Sequence, residues 1–185
     1  NGIGGDGFWL ISKPGEAPVA IQACGFAAEN ANIDFYRQAG YEQVPVRGPL
    51  AANTVAGTVG GWERALEWAG EQMANAPLPL TRLLNDAIHY ARHGVPVSAG
   101  LHQQITARLP QLGQYPGFGG LFAPTGQALD PDDLLLQPAL ANTLERLATH
   151  GLSDFYHGET ARLIASELEA AGSLLRFSDF DVYRA

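Results

Sequence analysis

Two histidines and a run of glycines are the first residues in this chain whose spacing points at chemistry. His89 and His93 stand four apart in the stretch from Leu80 to His93, where Leu83, Leu84, Ala87, Ile88 and Ala91 recur at helical spacing. Both imidazoles therefore fall on one helix face, the geometry by which two of them share a zinc ion. Tyr90 occupies the place of a zincin's glutamate and no third ligand is evident nearby, so a helix-end histidine favoured by the macrodipole is the simpler reading and no metal is expected. His102, His150 and His157 are scattered. Gly2, Gly4 and Gly7 satisfy G-x-G-x-x-G, the spacing that lets backbone amides approach a pyrophosphate. That fingerprint needs a strand before it and a helix after it, whereas the aromatic and β-branched run Phe8-Trp9-Leu10-Ile11 follows here. Glycines in that position instead suit a sheet edge passing close to neighbouring backbone.

The other reactive side chains have plain readings. Cys24 ends an apolar run and reads as a small buried hydrophobe before it reads as a nucleophile. None of the serines sits in a G-x-S-x-G elbow. Asp130, Asp132 and Asp133 lack the glycine and distal glutamate of a calcium loop and are expected to cap a following helix. Glu63, Glu67 and Glu71, spaced by four, read as a solvated helix stripe. No self-contained catalytic set and no cofactor site emerge.

The elements that must position these residues are mostly helical. Phe8 to Ile11 and Val19 to Ala23, separated by a Pro14-Gly15 turn, predict a β-hairpin. Helices are predicted over 33–39 (closed by Gly40), 58–72, 80–93 (stopped by Gly94 and Pro96), from a Ser98 cap to about Leu109, over 137–149 and over 159–171. Ser178-Asp179 is expected to cap a last short helix. Between Pro110 and Pro131, recurrent glycine and proline predict a long irregular excursion. The fold class is α+β, mostly α, read as a single piece over 1–185 in which a hairpin and sheet-edge region, 1–57, precedes a helical lobe, 58–185. The net charge of -8 and the lack of a Lys/Arg cluster argue against nucleic acid as a partner. No apolar run reaches the length that spans a bilayer, so no membrane partner is expected. The lone Cys24 excludes an internal disulfide, and a cytoplasmic location is expected, with a periplasmic one left open.

Six segments, taken in order, resemble the large-subunit region of the γ-glutamyltransferase superfamily of N-terminal-nucleophile amidohydrolases. They are Gly2 to Phe8, Asn53 to Gly60, Leu84 to Ser98 (Ala-x-x-x-Ala-x-x-Gly-x-Pro-Val-Ser), Gln137 to Leu144, Phe155 to Gly158, and Gly172 to Asp179 with Tyr183. The resemblance implies part of an αββα sandwich and a proenzyme that cuts itself before a threonine. The new N-terminal Thr, on a small partner subunit, would be both nucleophile and base. No catalytic residue and no cofactor is then expected in this chain. Family sequence is expected before Asn1 and after Ala185, and a dimer of heterodimers is left open. Where γ-glutamyl transferases carry an arginine that pairs with the glutamyl α-carboxylate, Cys24-Gly25-Phe26-Ala27-Ala28 aligns, with Phe26 at the arginine position. Phe26 demotes glutathione as a substrate, and Arg47 is the candidate replacement cation. The form Gly-Ile-Gly-Gly-Asp-Gly-Phe-Trp is most similar to the oxamate amidohydrolase branch, which serves purine catabolism. The expected activity is hydrolysis of a small amide such as oxamate through an acyl-enzyme. γ-Glutamyl transfer or glutathione hydrolysis, a cephalosporin-type acylase and a non-enzymatic helical interaction module are the alternatives.

Overall fold

A computed structural model describes residues 2–72 and 78–185. By contacts the chain forms two compact units, residues 1–78 with 150–185, and residues 79–149. This grouping joins the helix at 58–72 to the hairpin, so it does not follow the sequence division at 57/58.

In the first unit, β1 (Gly7–Ile11) and β2 (Val19–Ala23) pair antiparallel with Gly7 opposite Ala23 and Ile11 opposite Val19. The turn closes where the Glu16 N–H donates to the Lys13 carbonyl at 3.0 Å, and Gly15 takes the left-handed φ of 83° that favours glycine. Ile21 and Ala23 are buried against α2 (Thr58–Gln72), whose buried residues are Val59, Gly60 and Gly61. A Cβ on Gly61 would lie 2.7 Å from the Ala23 Cβ and 3.1 Å from Trp9 Nε1, so this glycine sets how closely the helix meets the hairpin. Between hairpin and helix runs α1 (Ile33–Gln38), opened by the Asn32 side chain accepting the Phe35 N–H at 2.9 Å.

The same unit contains α7 (Asp154–His157), α8 (Glu159–Ala170) and α9 (Phe177–Asp181), which pack on one another. Phe155, Tyr156, Ala161, Ala165, Leu175, Phe180 and Tyr183 are buried. The Asp154 carboxylate accepts the N–H groups of Glu159 and Thr160 and so satisfies the first turn of α8. Ser178 and Asp179 do not cap the last helix from its start, because Arg176 is the N-cap residue. Asp179 lies inside the first turn, where its carboxylate accepts the Arg176 N–H at 2.7 Å and the Glu29 N–H at 2.9 Å. This buried acid therefore ties the loop after β2 to a helix 150 residues away.

The second unit holds α3 (Leu80–His93), α4 (Ala99–Leu112), α5 (Pro116–Phe122) and most of α6 (Pro138–His150), with a short antiparallel pair of β3 (Val95–Pro96) and β4 (Leu134–Leu135). Ser98 caps α4 by accepting the Leu101 N–H at 3.1 Å. Three expectations fail here. Helix α4 does not stop at Leu109 but runs through Pro110 to Leu112. Proline removes one hydrogen bond, to the Thr106 carbonyl, and both residues are exposed in the last turns, where water can replace it. The glycine- and proline-rich excursion is also not irregular throughout, since Pro116 opens α5 at a position whose N–H has no helical partner in any case. The aspartates at 130–133 precede β4 and cap no helix. Asp133 accepts the Asp130 N–H at 2.8 Å, and Asp132 takes a φ of 73°.

Candidate functional site

The opening glycines belong to a loop tied to α2 and to the segment after β2. The Gly5 carbonyl accepts both the N–H and the hydroxyl of Thr58, at 2.9 and 2.8 Å, and the Asp6 carboxylate accepts the Gly25 N–H at 3.2 Å. The expected backbone collision lies elsewhere. A Cβ on Gly2 or Gly4 would meet nothing within 4 Å among the described residues, whereas one on Gly25 would overlap the Val55 carbonyl oxygen. One on Gly57 would overlap the Ala23 carbonyl and lie 2.7 Å from the Tyr183 hydroxyl. The residues after β2 and the residues before α2 thus run in close contact. Val55 donates to the Phe26 carbonyl at 3.0 Å, Ala28 donates to the Asn53 carbonyl at 2.7 Å, and Ala27 bridges Thr54.

This ladder presents Phe26, which is 43% exposed, on a stack of aromatic rings. Phe26 lies 5.9 Å from Tyr183, and Tyr183 lies 4.9 Å from Tyr156. The Tyr156 hydroxyl accepts the Gly60 N–H at 2.8 Å and donates to the Ala56 carbonyl at 2.9 Å, satisfying backbone at the entry to α2. Burial pushes its phenol pKa well up, so it serves only as a neutral hydrogen-bonding group. Tyr183 is equally buried, yet its hydroxyl has no hydrogen-bond partner among the described residues. Burial also raises its pKa, with the charges of Asp6 and Cys24 adding to the effect.

Sequence reasoning marked Tyr156 and Tyr183 only as members of motifs and missed the stack they form. It also missed Glu63. Rather than standing in a solvated stripe, Glu63 lines a cleft of about 110 Å³ with Gly60, Tyr156, His157, Tyr183 and Arg184. Burial, and secondarily the Glu67 carboxylate, push its pKa up against the opposing pull of His157 and Arg184. Cys24, just after β2, is half-buried. Arg47 is exposed in the loop after α1, and no hydrogen bond or ion pair joins it to Phe26 among the described residues. A second cleft, of about 330 Å³, is lined by Ala27, Ile33, Tyr36, Arg37, Glu42 and Asn53, among others. Its polar side is ordered by Asn53 donating to the Tyr36 hydroxyl at 3.0 Å and Tyr36 donating to the Leu50 carbonyl at 2.8 Å.

A gamma-glutamyltranspeptidase family model matches residues 1–185, the whole chain. The chain belongs to the gamma-glutamyltranspeptidase family. Among family relatives, an oxamate amidohydrolase proenzyme of Klebsiella pneumoniae subsp. pneumoniae is 44% identical over 185 residues, all of this chain and 34% of the relative. A glutathione hydrolase-like proenzyme of Bacillus subtilis is 33% identical over 184 residues, 99% of this chain and 34% of the relative. The chain therefore spans about a third of the length of these curated relatives. A cephalosporin acylase from Bacillus halodurans superposes with a TM-score of 0.87 at 30% identity, over 100% of this chain and 34% of that one. The Helicobacter pylori gamma-glutamyltranspeptidase superposes with a TM-score of 0.86 at 26% identity, over 98% of this chain and 51% of that one. The mostly helical fold with its two-stranded hairpin is thus the fold of this gamma-glutamyltranspeptidase-family segment.

Proposed function

We propose that this chain is a large-subunit segment of an N-terminal threonine amidohydrolase that hydrolyses a small amide such as oxamate. The observation that carries the reading is the 44% identity, along the full chain, to a protein named as an oxamate amidohydrolase proenzyme. In this reaction the threonine hydroxyl, on a small subunit, attacks the amide carbonyl while its own α-amine takes the proton. The C–N bond then breaks, ammonia leaves, and an oxalyl ester remains on the threonine. Water cleaves the ester to release oxalate and restore the hydroxyl. No residue of the present chain bonds to the reacting atoms in this scheme.

What the chain contributes is a wall. Phe26 stands where the superfamily arginine is expected and offers an aromatic face in place of a bidentate cation, which disfavours a glutamyl α-carboxylate. Its position is held by the Gly25 ladder and by Tyr183. Arg47, exposed and free of a partner among the described residues, is the cation proposed to hold the oxamate carboxylate. Hydrolysis or transfer of a γ-glutamyl group is the second reading, supported by the several relatives named as glutathione hydrolases. The full-length protein should release ammonia from oxamate much faster than glutamate from glutathione. The reverse order would overturn both the substrate and the role given to Phe26. Arg47→Ala should raise the oxamate KM about tenfold or more with little change in kcat, as expected when a charged contact to bound substrate is lost. An unchanged KM removes Arg47 from the site.

A further inference from the structure

The histidine pair on α3 is absorbed by none of this chemistry. His89 and His93 are both exposed on one face of a fourteen-residue helix, and their ring centroids lie 4.7 Å apart with the planes inclined at 47°. Two imidazoles on one metal ion have metal–nitrogen distances of about 2.0–2.1 Å and, at tetrahedral to octahedral angles, centroids about 4.5–5.2 Å apart. The rings thus already have the separation of a chelate. The sequence alone does not settle this, because spacing by four allows rotamers that point apart. We infer that His89 and His93 form a two-histidine surface site for a borderline transition-metal ion, with water completing the coordination.

Local surroundings agree with an accessible chelate. The helix backbone fixes both Cβ atoms, so binding orders only two short side chains. Neighbouring charges are already engaged with other partners: Asp86, one turn before His89, lies 3.9 Å from Arg82, and Arg92 binds Asn142 at 2.8 Å and Glu145 at 2.7 Å. No group of three or more ligating side chains exists among the described residues, so the site is a bidentate anchor and not a closed structural centre. With imidazole donors alone, Cu2+ should bind most tightly, Ni2+ and Zn2+ less so, and Mg2+ and Ca2+ not measurably.

Calorimetric titration of the untagged full-length protein with CuCl2, NiCl2 and ZnCl2 tests this directly. The expected result is a saturable site with that order of affinity, reversed by EDTA and absent from the double variant His89→Ala/His93→Ala. His89→Ala and His93→Ala should each weaken it at least tenfold, while His102→Ala and His157→Ala leave it unchanged. Because both residues are exposed, the variants should fold, and circular dichroism confirms it. A paired exchange, Ala87→His with His89→Ala, leaves the number of histidines unchanged but destroys the spacing, and should behave like the single His89 variant. Unchanged binding in either single variant, or in the paired exchange, would overturn the assignment, as would the lack of any saturable site.

Discussion

Tyr156 and Tyr183 stack 4.9 Å apart, are both buried, and differ in one respect that a matched pair of substitutions reads out. Tyr156→Phe removes a hydroxyl that satisfies the buried Gly60 N–H and the Ala56 carbonyl. Stranding a buried polar group costs about 1–3 kcal/mol, so losing both contacts should destabilise the protein by about 2–4 kcal/mol. Tyr183→Phe removes a hydroxyl with no partner among the described residues while keeping the ring against Phe26 and Tyr156. It should cost nothing, or stabilise by up to about 1 kcal/mol, because the unsatisfied oxygen no longer has to be desolvated. Urea unfolding of the full-length variants followed by tyrosine and tryptophan fluorescence would show a lower midpoint for Tyr156→Phe and an unmoved or higher one for Tyr183→Phe, at unchanged slope. A loss above about 1 kcal/mol for Tyr183→Phe, or below it for Tyr156→Phe, would refute the division of labour between the two rings.

Two further outcomes follow from the same unit. Gly25→Ala must push apart the ladder between residues 24–28 and 53–55 and should destabilise by about 3–5 kcal/mol, combining overpacking with weakened backbone hydrogen bonds. Gly4→Ala, with open space around it, should stay within about 0.5 kcal/mol, and equal effects in thermal melts would contradict the steric account. For Glu63 the folded-state pKa is raised, so its contribution is favourable below the unfolded value of 4.5 and is lost as pH rises through the folded value. Glu63→Gln should therefore stabilise the protein at pH 7, with the advantage shrinking as the pH falls toward 4.5. An advantage independent of pH would count against a desolvated carboxylate there.

Elements with strong periodic signals were legible from residue types. The hairpin at 7–11 and 19–23, the helix at 58–72 and the helix at 80–93 follow from apolar spacing closed by turn residues such as Gly15 and Gly94. Local rules failed where a distant partner or solvent decides. Pro110 is tolerated because its turn is exposed, and Asp179 is drawn inside its helix because its carboxylate also binds Glu29. The candidate site was legible in motif membership but not in geometry. Phe26 was singled out by comparison at one position, yet nothing in the spacing of Phe26, Tyr156 and Tyr183 places three rings in one stack. Likewise Glu63, indistinguishable in sequence from Glu67 and Glu71, is half-buried in the cleft under Tyr156 and His157, almost a hundred residues on, whereas Glu67 at the same cleft stays exposed and pairs with Arg64. The glycine cluster at the start drew attention by density, whereas Gly25, Gly57 and Gly61, where a Cβ would run into a distant part of the chain, lie where chain segments cross.

In the proposed reaction this chain works beside an N-terminal threonine freed by self-cleavage. Intact-mass and N-terminal sequencing of the purified full-length protein, before and after incubation, tests it most directly. Two polypeptides are expected, the smaller beginning with threonine, with amidohydrolase activity that appears as the precursor disappears. A full-length protein that hydrolyses oxamate while remaining uncut, or one cut before a residue other than threonine, would contradict it.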